Sequence, residues 1–141
     1  MKLNTYLNYG GNCRQALQFY EKHLGGKITM MLTHGEMPGA PATSPEMKDL
    51  ILHARIVIAG TEVMASDAPP ASFQPMRSAY LSLGVHTPAE AERIYALLTD
   101  GGEIFMPMQE TFFAARFAMC RDRFGTAWML INERPENATH A

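Results

Sequence analysis

The sequence predicts an α+β fold of two βαβββ modules, with both sheets curled around a shared concavity and the helices outside. Three observations predict it. Gly60-Thr61-Glu62-Val63-Met64 recurs as Gly125-Thr126-Ala127-Trp128-Met129, so a Gly-Thr turn feeds an apolar strand once in each half. Ala16, Phe19 and Tyr20 lie 75 residues before Ala91, Ile94 and Tyr95, and the pairs Gly25-Gly26 and Gly101-Gly102 follow the two sets. Finally, Gly101 to Ile131 reads as three successive strands, Glu103–Gln109, Ala115–Arg121 and Thr126–Ile131, broken at Glu110–Phe113 and Arg123–Gly125. The late landmarks are only 65 residues apart, so the first half holds about ten extra residues. The Pro/Gly/Ala-rich segment His34–Met47 accommodates them.

The first module opens with a strand at Leu3–Tyr9, where Leu3, Leu7 and Tyr9 alternate with Asn4, Tyr6 and Asn8. Gly10-Gly11 ends it. Asn12, with Gln15 three residues on, supplies a cap for a helix whose stripe is Ala16, Leu17, Tyr20 and Leu24, and Gly25-Gly26 stops that helix. A strand at Lys27–Thr33 leads into the long loop, and Leu50–Ile58 and Thr61–Ser66 form a hairpin around Ala59-Gly60. The second module repeats the order: strand Tyr80–Val85, the capping box Thr87-Pro88-Ala89-Glu90, and a helix stripe of Ala91, Ile94, Tyr95 and Leu98 before the three strands above. These boundaries divide the chain into a module over 1–67, a linker over 68–77 with Pro69, Pro70 and Pro75, a module over 78–132, and a polar, frayed tail over 133–141. One helix covers one face of each sheet, so the other face needs a partner; a shared concavity within one structural domain is the economical answer.

A chain of 141 residues, 47% hydrophobic and 18% charged with a net charge of -2, has no basic excess to attract nucleic acid or an anionic membrane. No apolar run approaches ~20 residues and Met1-Lys2-Leu3-Asn4-Thr5 lacks a signal-peptide core, so the expected compartment is the cytoplasm. Cys13 and Cys120 have neither CxxC spacing nor a disulfide framework and read as reduced, partly buried thiols. No GxxxxGK[ST], GxGxxG, GxSxG or HExxH motif is present.

Of the five histidines, His23, His34, His86 and His140 lack a neighbour at metal-ligand spacing and read as solvated residues. His53 is singled out, because a hairpin around Gly60 places it across from Asp67. That pair reads either as a closure of the hairpin or as a catalytic dyad. Eleven methionines, seven of them on or beside the strands, suit a concavity for a flexible apolar or aromatic ligand, and equally suit gap-filling in a core.

Several segments carry a resemblance: Tyr6-Leu7-Asn8-Tyr9 running to Ala16-Leu17-Gln18-Phe19-Tyr20; His53-Ala54-Arg55-Ile56 with Gly60, Met64 and Ser66-Asp67; and Gly101-Gly102, Met106-Pro107-Met108-Gln109, Thr111-Phe112 and Asp122-Arg123-Phe124-Gly125. Over nearly its whole length the chain resembles the vicinal oxygen chelate superfamily of glyoxalase I, extradiol dioxygenases and fosfomycin- and bleomycin-resistance proteins, and most closely its PhnB-like branch. Branch members are sometimes labelled ubiquinone-type methyltransferases, but this chain has no glycine-rich strand-to-helix turn for a nucleotide cofactor. The resemblance implies ligand positions for one divalent ion on the first and last strand of each module. They fall at Thr5 (beside Asn4 and Tyr6), Met64, Tyr80 (beside Ala79 and Leu81) and Met129, side chains that cannot hold a hard divalent ion. The expectation is therefore no metal and no cofactor, and binding of a small apolar or aromatic molecule through Tyr6, His53, Gln109, Phe112, Phe113 and Arg116. Two alternatives stand beside it: a metal-dependent lyase, isomerase or dioxygenase with a relocated site at His53 and Asp67 or Glu62, and a partner-association module with a filled cavity. The resemblance also implies a homodimer.

Overall fold

The computed structural model describes residues 1–37 and 44–135, and it contains two compact units, Met1–Pro75 and Met76–Ala141. The boundary falls inside the expected linker. Part of the long loop and the end of the tail, with His140, lie outside the described residues.

The first unit holds β1 (Thr5–Tyr9), α1 (Cys13–His23), β2 (Lys27–Thr33), β3 (Ile51–Ile58) and β4 (Thr61–Asp67). They form a four-stranded mixed sheet in the order β1-β4-β3-β2, in which β1 runs parallel to β4 and the other pairs are antiparallel. Alternation assigns the faces. Leu7, Tyr9, Ala54, Ile56, Ile58, Val63 and Ala65 are buried, and Cys13, Ala16, Leu17 and Tyr20 of α1 close over that side. The β3–β4 turn is made by Ala59 and Gly60, with φ of 49° and 78°, and Ile58 pairs with Thr61 across it.

Asp67 is the unexpected member of this core. It is 4% exposed. Its Oδ1 accepts the backbone N–H of Gly11 and of Cys13, each at 3.0 Å, and its Oδ2 accepts the N–H of Ile51 at 2.9 Å. Two expectations are corrected here. The side chain of Asn12 makes no capping bond to α1, whose first N–H, that of Cys13, is instead taken by Asp67 at the end of β4. Nor does Asp67 face His53: Ala54 pairs with Ala65 and Arg55 with Met64, one residue away from the expected register, and a one-residue step exchanges the faces. Asp67 therefore shares the helix side with Ala65 and Val63, while His53 and Arg55 share the other.

The second unit repeats the plan with β5 (Leu81–Gly84), α2 (Pro88–Thr99), β6 (Glu103–Gln109), β7 (Ala114–Arg121) and β8 (Ala127–Glu133), in the order β5-β8-β7-β6 with β5 parallel to β8. Thr87 Oγ1 accepts the Glu90 N–H at 3.0 Å and the Glu90 carboxylate accepts the His86 N–H at 3.1 Å, so the predicted capping box closes one residue upstream of its usual partner. Ala91, Ile94 and Leu98 are buried on the face that carries Ala118, Cys120, Trp128 and Leu130. A second buried carboxylate, Asp122, accepts the N–H groups of Phe124 and Thr126 at 3.0 Å each and the Trp128 indole N–H at 2.9 Å, fixing both the β7–β8 turn and the tryptophan. Gly102 is required by close approach, because a Cβ there would lie 2.3 Å from the Arg121 carbonyl oxygen. The expected frayed tail is held at its start: β8 runs to Glu133, and the Arg134 guanidinium donates to Glu110 and to the Thr111 carbonyl. Among the described residues no helix is long and apolar enough to cross a membrane.

Cys13 and Cys120 are free and fully buried. Burial, with the neighbouring Asp67 charge, pushes the Cys13 thiol up to about 12; burial, with Asp122, pushes Cys120 up to about 11. Both values exceed the ~8.5 of an unfolded cysteine. The folded state thus favours the neutral thiols, and this contribution is whole below about pH 8.5 and is lost as pH rises toward the folded values. Native protein at pH 8 is expected to resist a thiol-specific disulfide reagent until denaturant is added, and its urea midpoint to fall as pH is raised to about 10.5. Rapid labelling of either cysteine in the folded protein would contradict this.

Candidate functional site

The face of the first sheet turned away from α1 gathers polar side chains from three strands. Tyr6 and Asn8 come from β1, Glu62, Met64 and Ser66 from β4, and His53 and Arg55 from β3, because these positions alternate with the buried ones. The register sets Tyr6 beside Met64 and Met64 beside Arg55, a row across the sheet. Over the middle strand the Tyr6 and His53 rings stack with centroids 5.7 Å apart and planes at 26°, and Tyr6 Oη lies 3.1 Å from His53 Nδ1. Arg55 Nε–H donates to His53 Nε2 at 3.3 Å, and Arg55 Nη1 reaches Glu62 Oε1 at 3.2 Å. Ser66 Oγ donates to Asn8 Oδ1 at 2.9 Å. The Arg55–Glu62 pair is partly exposed and contributes no more than about 1 kcal/mol to stability. Its consequence is geometric, since it holds a guanidinium against the imidazole. Beside this network an open groove of about 520 Å³ lies between Lys2–Thr5 and Gly60–Glu62.

The corresponding face of the second sheet is apolar. Phe117 pairs with Gln109 and Ile131, and Met119 with Met106 and Met129. The Phe113 ring meets Phe117 edge-on at 5.1 Å, and Phe112, 92% exposed, meets Phe113 at 5.2 Å. Gln109 and Phe113 thus converge on Phe117. Arg116 does not join them: it alternates with Phe117 and shares the α2 side with Ala118 and Cys120, where its Nε lies 3.2 Å from Glu92 Oε1.

Two of the expected residues, Tyr6 and His53, are therefore in direct contact on one open face, and Gln109, Phe112 and Phe113 cluster on the other, whereas Asp67 and Arg116 point elsewhere. Sequence reasoning missed Arg55 and Phe117. Arg55 was legible from its position two residues after His53 on one strand, which puts both on one face.

The register shows what lies beside the expected metal positions. Met64 lies beside Tyr6, while Thr5 pairs with Val63; Met129 lies beside Ser82, while Tyr80 precedes β5. Phenol, hydroxyl and thioether groups remain weak ligands for a hard ion. For a relocated site, His53 and Glu62 offer two donors, but Arg55 is bonded to both, and Asp67 is on the opposite face. Among the described residues no group of three or more His, Cys, Asp or Glu side chains is placed to hold a metal ion.

The family model described as 3-demethylubiquinone-9 3-methyltransferase matches residues 1–131. The protein YjdN of Escherichia coli K12 is 34% identical over 145 residues, covering 96% of this chain and 99% of its own. The crystal structure of PA1353 from Pseudomonas aeruginosa superposes with a TM-score of 0.85 at 43% identity, over 94% of this chain and 98% of that one. A protein from Bacillus cereus described as a putative 3-demethylubiquinone-9 3-methyltransferase, PhnB protein, gives a TM-score of 0.79 at 22% identity over 94% and 99% of the two chains. The glyoxylase/bleomycin resistance protein/dioxygenase domain from Frankia shares the fold, with a TM-score of 0.62 at 18% identity over 99% and 96%. The duplicated βαβββ plan and these matches agree: the chain belongs to the family described as 3-demethylubiquinone-9 3-methyltransferase, and it shares the fold of the glyoxylase/bleomycin resistance protein/dioxygenase domain.

Proposed function

We propose that this protein binds small apolar or aromatic molecules without a metal ion, Tyr6 and His53 being the contacts that the first sheet offers and Gln109, Phe112 and Phe113 those that the second sheet offers. One observation carries this reading. The Arg55 guanidinium is bonded to both His53 and Glu62, the two donors that a relocated metal would need, on a face otherwise offering the Tyr6 ring and the Met64 thioether. A fixed cation on those lone pairs opposes a second cation. Aromatic and methionine side chains on both faces supply adaptable apolar contact.

The methyltransferase description of the family is not extended to this chain. Dinucleotide-type cofactor sites use a glycine-rich strand-to-helix turn with backbone N–H groups free at the helix N-terminus. At α1 the Gly11 and Cys13 N–H groups are taken by Asp67, and at α2 the Glu90 and His86 N–H groups are taken by Thr87 and Glu90. A homodimer completes the proposal, supported by the exposed Ile104 and Phe105 on the edge strand β6.

Elemental analysis of protein purified without chelator is expected to find far less than one divalent ion per subunit, and titration with 2-naphthol to shift the amide resonances of Tyr6, His53, Gln109 and Phe113. About one ion per subunit, lost on His53→Ala, would establish the metal-dependent reading instead. For assembly, sedimentation at micromolar concentration is expected to give the mass of two chains, and a monomer would refute the dimer.

A further inference from the structure

We propose that Arg55 fixes the tautomer of His53 and thereby makes the Tyr6 hydroxyl a hydrogen-bond donor to a neutral acceptor oxygen on the ligand. This rests on the small-molecule reading above and names the chemistry that the first sheet recognises.

The argument follows from donor inventory. An arginine Nε–H has no lone pair to offer, so across the 3.3 Å contact His53 Nε2 is the acceptor. The ring then carries its proton on Nδ1, the less usual tautomer of a free imidazole. That N–H points at Tyr6 Oη, 3.1 Å away, and fills one of its lone pairs. The hydroxyl proton is left to point away from the imidazole. Tyr6 is 45% exposed, so an incoming molecule can reach it. Because the Glu62 carboxylate at 3.2 Å balances the guanidinium, the site presents a directed donor without net charge. A ketone, amide or ether oxygen on an aromatic body matches that arrangement better than a carboxylate. Asp67 cannot relay the proton, because its oxygens are bonded to Gly11, Cys13 and Ile51 on the other face.

Two measurements test this. In protein carrying ¹⁵N-histidine at about pH 8.5, where imidazoles are neutral, long-range ¹H–¹⁵N correlations are expected to show Nδ1–H for His53 in the wild type and Nε2–H in Arg55→Met. Nε2–H in the wild type overturns the proposal whatever binds. Affinities for acetophenone and its hydrocarbon counterpart α-methylstyrene are then compared by amide shift titration. The ketone is expected to bind about tenfold more tightly in the wild type, with the preference lost in Tyr6→Phe. A preference unchanged in Tyr6→Phe also overturns it. Nδ1–H with neither compound bound supports the tautomer assignment and counts against the ligand reading instead.

Discussion

The carboxylate of Asp67 ties together three parts of the first unit that no single strand pairing would join: the β1–α1 turn at Gly11 and Cys13, the start of β3 at Ile51, and the end of β4 that carries it. A carboxylate buried to this degree persists only because backbone donors surround it. Each of those N–H groups, stripped of its acceptor, would cost roughly 1–3 kcal/mol. The second unit uses the same device differently. Asp122 gathers its two backbone donors from its own turn and spends its remaining oxygen on the indole of Trp128, so the clamp there is local and anchors a core side chain.

The position of Asp67 decides what the opposite face can be. Side chains alternate along β4 and along β3 from His53 onward, and placing Asp67 among the buried residues places Ser66, Met64, Glu62, Arg55 and His53 together on the side away from α1. The first sheet therefore presents a histidine here with a guanidinium against it. The two sheets have also diverged: the first carries a hydrogen-bonded polar network, and the second carries Phe113, Phe117, Met119 and Met129. The duplication survives in backbone plan, while the chemistry of the two open faces does not repeat.

Much of the backbone plan was legible in the sequence. The repeated Gly-Thr turn, the helix stripes, the glycine pairs and the alternation between them locate the eight strands and the two α-helices of the described residues, because each signal is local and periodic. Facing is where legibility ended. The Ala59-Gly60 turn was identified, but the pairing across it was placed one residue off, and that was enough to set Asp67 opposite His53. A strict two-residue loop, pairing Ile58 with Thr61, would have put Asp67 on the other face. Arg116 falls on the α2 side by plain alternation with Ala118 and Cys120, but which face of β7 meets α2 is set by packing and leaves no mark in composition. The trans cap on α1 was equally hidden, since Asp67 lies 54 residues from Cys13 in sequence.

The claim on which the rest depends is that Asp67 is a structural clamp of the helix side and not a partner of His53. Native-state hydrogen exchange of the Gly11, Cys13 and Ile51 amides tests it most directly, comparing the wild type with Asp67→Asn. The asparagine keeps the shape and one acceptor oxygen but turns its NH2 toward at least one of the donors, so the three amides should be protected in the wild type and at least one of them should lose protection in the variant. Unchanged protection at all three, accompanied by an altered ring spectrum of His53, would contradict the account.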